Sequence, residues 1–194
     1  VINFLKRKFP RVFISNGLLS YNDLCILVEL GVIDAPINHV NGSSVDVTLD
    51  KYIRVEDMKG DMGKVNLMAG ETIKTKEIDL TDYDYMMPDA VLLGSTAETL
   101  NLPSWLSAEF SLKSSVGRSF LGHELAGWCD AWFKGKVTLE LKNNNQFHKL
   151  MLSEGLKVGQ IKFWKHSPVP HNKGYAARGQ YNGQSKVQES KGIK

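Results

Sequence analysis

The sequence predicts a mostly β fold, a barrel or a sandwich. Three observations carry this: many short runs of alternating apolar and polar residues, turn residues between them, and a single early helix. The helix comes first. Ser20, with Asp23 three residues on, opens a stretch where Leu24, Leu27 and Val28 recur at helical spacing and which closes at Gly31, so a capped helix is predicted over residues 21–30. After Pro36 the period falls to two. Val45, Val47 and Leu49, then Phe110 and Leu112, then Val137, Leu139 and Leu141, then Ile161 and Phe163 each place alternate side chains on one face, as half-buried strands do. Asn41-Gly42, Lys59-Gly60, Met62-Gly63 and Asn143-Asn144-Asn145 supply turns between such runs. From Pro168 onward the periodicity is lost to Gly, Asn, Gln, Lys and Ser. Such a tail cannot form a core by itself, and its composition leaves it either disordered or ordered over a ligand.

Composition narrows the function classes. The chain has 194 residues, 24 Lys+Arg against 21 Asp+Glu for a formal charge of +3, 42% hydrophobic residues and 2 Cys. A chain of this length buries roughly 70% of its unfolded surface, so one globular domain needs no disulfide framework or structural metal. No run of 18 apolar residues exists, and Val1 to Arg11 mixes apolar residues with Lys6, Arg7, Lys8 and Arg11, so a cytoplasmic protein without a membrane segment is expected. Cys25 and Cys129 lie far apart with no CxxC and read as inert thiols. The charge is too small and too scattered to suggest a nucleic-acid partner; only Lys173 to Lys194 is clearly basic.

The stretch from Lys113 to Glu140 is the most informative. Lys113-Ser114-Ser115-Val116-Gly117-Arg118 puts two hydroxyls, two cations and a glycine at the end of a strand, a mixture that suits phosphate but equally suits a plain helix start. In Val137 to Leu141 the two-residue period sets Thr138 and Glu140 on the face opposite Val137, Leu139 and Leu141. Glu140 is then either a solvated surface carboxylate or, given a cavity on that face and a cation such as Arg118 nearby, a general base. The P-C-x-x-C and H-x-E elements of a zinc nucleobase deaminase are missing, as are GxxxxGK[ST] and GxSxG. His39, His123, His148, His166 and His171 show no ligand spacing and read as surface or packing histidines.

Taken in order, Ser114-Ser115-Val116-Gly117-Arg118, Ala126-Gly127-x-x-Asp130-Ala131-x-Phe133-x-Gly135 and Thr138-Leu139-Glu140-Leu141 resemble the deoxycytidine triphosphate (dCTP) deaminase branch of the dUTPase superfamily. Four flanking segments extend the resemblance over residues 18 to 185: the opening helix from Leu19 to Ile33, Gly42 to Leu49, Gly155 to Ile161, and Tyr175 to Gln184. It implies a distorted β-barrel or jelly-roll of the dUTPase-like type over residues 1–170, assembled as a homotrimer with active sites between subunits. Residues 171–194 would be a flexible tail closing over the nucleotide.

The reaction implied is zinc-independent deamination of a deoxycytidine nucleotide. By matching positions, Glu140 would be the general base that activates water, with Arg118 beside it favouring its ionised form. Ser114 and the Ala126 carbonyl would position the water and the exocyclic amine. Asp130 would receive the 3'-hydroxyl, and Phe133 would pack under the sugar. Gly127 belongs to the same turn, and Lys113, Ser115, Tyr175, Gln180, Tyr181 and Gln184 fall where phosphate and tail contacts occur. Mg²⁺ would arrive on the phosphates, and dTTP is an inhibitor the resemblance leaves open. Glu140 favours a deaminase over a dUTPase, while Ala126-Gly127 with Asp130-Ala131 suits bifunctional members that release dUMP and pyrophosphate. A catalytically silent nucleotide- or partner-binding trimer is the alternative of another class.

This sequence also departs from the family pattern. Lys113 replaces Arg, Gln180 stands where Lys is usual, the tail is one residue short between Gly179 and Tyr181, Leu125 stands for Thr, and Trp132 is bulky where Pro or Gly is usual. Two weakened phosphate contacts raise dCMP as a substrate beside or instead of dCTP. The departures would suit a divergent phage copy.

Overall fold

The computed structural model describes residues 8, 10–57 and 63–193. The turns expected at Lys59-Gly60 and Met62 lie outside the described residues, as does the start of the chain through Arg7. Two five-stranded sheets, antiparallel throughout, build the fold. The first contains β1 (Gly17–Leu18), β2 (Val45–Val47), β6 (Leu106–Leu112), β8 (Trp128–Cys129) and β10 (Gly159–Lys165). Here β10 is central, flanked by β6 on one side and by β1 and β2 on the other, and β8 adds beyond β6. The second runs β4 (Thr75–Asp79), β3 (Tyr52–Glu56), β5 (Val91–Asn101), β9 (Lys134–Asn143), β7 (Leu121–His123). Their inner faces share one apolar core in which Val45, Val47, Leu106, Leu139, Leu141 and Phe163 are all fully buried.

Among the described residues the helices are short: α1 (Pro10–Phe13), α2 (Tyr21–Glu29), α3 (Ser114–Gly117) and α4 (Tyr175–Arg178). None is long and apolar enough to cross a membrane. The expected helix over residues 21–30 is α2, with Leu30 as its C-cap. Its expected capping box does not form: Ser20 makes no side-chain cap bond. Asp23, buried, instead accepts the Ser15 N–H at 3.4 Å. A tertiary partner has displaced the local one.

Each predicted strand lies within β2, β6, β9 or β10 except Leu49, which forms an isolated bridge to Thr96. Strand β9 alternates as predicted: Val137, Leu139 and Leu141 are buried while Thr138 and Glu140 are half-exposed on the other face. Strand β10 opens on Gly159, a position where a side chain does not fit. A Cβ at Gly159 would stand 2.1 Å from Phe110 Cε2. Phe110 is itself buried with its ring edge-to-face against His123, centroids 4.8 Å apart. Gly159→Ala is therefore expected to lower stability by about 1–3 kcal/mol through overpacking, measured by urea unfolding.

Candidate active site

A cavity of about 400 Å³ opens on the polar face of β9. Val137, Thr138 and Glu140 form its floor with Leu93 of β5, which pairs directly with Glu140. Ala126, Trp128, Cys129 and Phe133 wall one side, and Tyr175, Tyr181, Gln184 and residues 188–190 wall the other. The cavity a catalytic Glu140 would require is thus present.

Glu140 faces a residue that the sequence did not single out. His123 Nε2 lies 3.3 Å from Glu140 Oε2, with the histidine side chain 3% exposed and the glutamate 29%. The two atoms face each other short of an aligned hydrogen bond, and neither has another partner in the structure. Leu125 N–H donates to His123 Nδ1 at 3.3 Å, which assigns the proton of the neutral ring to Nε2, the nitrogen aimed at Glu140. Strand pairing places them: His123 is in register with Leu141, and Glu124 N–H donates to the Glu140 carbonyl at 3.1 Å. Leu125 holds φ at 65°, a left-handed conformation rare for its residue type, as the chain turns from β7 into Ala126.

The turn and the tail complete the walls. Phe133 is buried and meets Tyr175 edge-on, ring centroids 5.3 Å apart at 75°. Burial is the main cause that raises the Tyr175 hydroxyl above the usual tyrosine range. Cys129 is also buried, which pushes its thiol up to about 12, so it meets the cavity as a neutral, inert group. Trp132 occupies a left-handed φ of 72°, where a glycine would rest without strain. Its contacts account for it: Nε1–H donates to the Val169 carbonyl at 2.9 Å and the ring edges against His171. It thereby fixes the start of the tail.

The tail then runs along β9. Gly135 and Gln184 form a parallel bridge, and a Cβ at Gly135 (φ 140°) would lie 2.7 Å from the Gln184 carbonyl oxygen. Gln184 Nε2 donates to the Lys136 carbonyl and, at 3.2 Å, to Thr138 Oγ1. Tyr181 accepts the Lys191 N–H on its hydroxyl at 3.0 Å. Gln180 Nε2 donates to the Gly192 carbonyl at 3.1 Å and does not line the cavity.

Of the residues singled out from sequence, Ala126, Phe133, Glu140, Tyr175, Tyr181 and Gln184 line the cavity together. Lys113, Ser114, Ser115, Arg118, Gly127, Asp130 and Gln180 do not. Gly127 packs on β6, where a Cβ would stand 2.8 Å from the Phe110 carbonyl oxygen, and Asp130 accepts Trp128 Nε1–H at 2.9 Å. The 113–118 segment follows β6 in the first sheet, whereas Glu140 sits on β9 in the second. Within one chain, among the described residues, Arg118 makes no hydrogen bond or ion pair with Glu140; the expected pairing is one between subunits. Ser115 offers its carbonyl to Ser119 Oγ at 3.1 Å. Lys113 Nζ lies 2.6 Å from Asp46 Oδ2. Burial raises the Asp46 carboxyl, but hydrogen bonds from Lys113 and Asn41 and the nearby lysine charges outweigh it and hold it below the usual range.

A family model described as dCTP deaminase-like matches residues 20–166. The chain is similar to a protein of Beutenbergia cavernae named dCTP deaminase, dUMP-forming, at 39% identity over 75% of this chain and 77% of that one. A protein of the same name from Aquifex aeolicus is 32% identical over 89% of this chain and 91% of its own length. In fold, the chain matches the crystal structure of 2'-deoxycytidine 5'-triphosphate deaminase from Agrobacterium tumefaciens with a TM-score of 0.60 at 20% identity, over 78% of this chain and 49% of that one. The chain thus spans about half the length of that structure. Because the family model covers most of the chain and the two relatives, each over 30% identical, align with 75% and 89% of it, this chain belongs to the dCTP deaminase-like family.

Proposed function

We propose that this chain is an enzyme that hydrolytically deaminates dCTP, with Glu140 as the general base. The observation that carries the reading is Glu140 on the floor of a nucleotide-sized cavity, with one carboxylate oxygen facing a buried histidine N–H. In that arrangement Oε2 faces His123 Nε2 at 3.3 Å and Oε1 would take a proton from water. The hydroxide attacks C4 of the cytosine ring, the proton passes to N3, and a second transfer through Glu140 protonates the departing amine, so ammonia leaves and a uracil carbonyl remains. The Ala126 carbonyl beside Glu140 suits the exocyclic amine. Phe133 against Tyr175 suits the deoxyribose, and Asp130, outside the cavity lining and bonded by Trp128 Nε1–H, would turn from that donor to receive the 3'-hydroxyl.

The parts that one chain keeps apart, Ser114, Ser115 and Arg118, would reach this cavity from a neighbouring copy in a homotrimer. Residues 171–194 would act as the closing segment, with Tyr175, Tyr181, Gln184 and Gln180 holding the phosphate side. Among the described residues no three His, Cys, Asp or Glu side chains form a metal-holding group. Mg²⁺ would arrive on the nucleotide's own phosphate oxygens, where it offsets their charge.

A second reading, in which the enzyme goes on to cleave the phosphoanhydride and ends at dUMP, is favoured by the relatives' name, dUMP-forming. Incubation with dCTP and with dCMP, following ammonia and pyrophosphate separately, tests both readings. Ammonia from dCTP is expected; pyrophosphate in equal amount would add the second activity. No ammonia from either nucleotide would overturn the deaminase reading and leave a binding trimer.

A further inference from the structure

The ammonium of Lys113 is already engaged. Its Nζ lies 2.6 Å from each carboxylate oxygen of Asp46. Asp46 is 5% exposed in the middle of β2, also accepts Asn41 Nδ2–H at 2.8 Å, and has Lys157 Nζ at 3.6 Å. Lys113 N–H in turn donates to the Val158 carbonyl at 3.2 Å. Strand β2, the end of β6 and the approach to β10 therefore meet at one buried carboxylate immediately before Ser114.

We propose that Lys113 is a positioning residue that acts through Asp46 to fix where Ser114 to Arg118 stand, and that it does not itself bind substrate phosphate. This rests on the deaminase reading, in which that segment faces the nucleotide. Drawing the ammonium toward a phosphate would leave the buried Asp46 carboxylate with Lys157, more distant and half-exposed, as its remaining cation. Removing one partner of a buried pair is the costly way to break it. An ammonium has three donors on a single nitrogen, and two are spent on Asp46; a guanidinium, with five on a planar fork, could serve a carboxylate and a phosphate together.

Lys113→Met, Asp46→Asn and the double variant separate the two roles, with Lys113→Arg as the conservative control. If Lys113 acts through Asp46, each single variant raises the KM for dCTP about tenfold and the double variant is no worse than either, as expected for partners in one interaction. The ratio of dCTP to dCMP turnover then stays that of the parent, and Lys113→Arg restores KM. A parent-like KM in Asp46→Asn, together with a Lys113→Met loss that falls on dCTP and spares dCMP, would overturn the proposal and make Lys113 a phosphate ligand. Hydrogen exchange at the amides of residues 114–118 decides the matter without turnover: it speeds equally in Lys113→Met and Asp46→Asn if the pair positions the segment, and stays at the parent rate in Asp46→Asn if it does not. A parent chain inactive on both nucleotides would instead refute the deaminase reading.

Discussion

Glu140→Gln is expected to cut kcat for ammonia release from dCTP by about a thousandfold while KM stays within about threefold, because it removes a transition-state proton transfer and little ground-state binding. The replacement keeps the volume of the side chain. It also keeps an oxygen that can accept from His123 Nε2–H, so the cavity floor and the β7–β9 pairing should persist. What is lost is the basic lone pair that takes the proton from water. The complementary change, His123→Leu, leaves the carboxylate but removes the donor that faces Oε2. A smaller loss in kcat than in Glu140→Gln is expected there, measured by ammonia release from dCTP, because the base remains but the side chain it faces is gone.

Mixing two inactive variants should restore activity. Arg118→Ala and Glu140→Gln are each expected to be nearly inactive alone. In the proposed homotrimer a complete site would take the 113–118 segment, which does not line the Glu140 cavity of its own chain, from one copy and that cavity from its neighbour. After unfolding together in equal amounts and refolding, a randomly assembled closed ring has about a quarter of its sites built from two unmutated contributions, so roughly a quarter of parent activity should return. Activity that stays at the level of the separate variants would show that both residues serve the same site from one chain.

Sequence reading succeeded where the physics is local. The alternation of Val137, Leu139 and Leu141 fixes which face of β9 carries Glu140, since the side-chain period of a strand is two whatever it pairs with. It could not find His123, whose meeting with Glu140 depends on the register between β7 and β9; a three-residue strand carries no readable periodicity. Strand β5 was missed for a related reason. Its burial alternates through Leu92, Gly94, Thr96, Glu98 and Leu100, but three of those five are a glycine, a threonine and a glutamate, so no apolar alternation marks it in sequence. Ser20 and Asp23 match a capping box in spacing, yet Asp23 accepts from Ser15 instead, a choice set by packing. Lys113 was legible as a cation at a strand end. Its engagement by Asp46 was not, because 67 residues separate the two in the chain. For the tail, composition left disorder and ordering over a ligand both open, and contacts such as Gln184 with β9 and Trp132 with Val169 place it beside the cavity.

The most direct measurement is ammonia release from dCTP by the parent chain after exhaustive treatment with a zinc chelator, with Mg²⁺ resupplied and Glu140→Gln run beside it. A chelator-resistant rate that disappears in the variant is the predicted result. A rate that the chelator abolishes and zinc restores, or one that survives in Glu140→Gln, would contradict the assignment of Glu140 as the group that activates water.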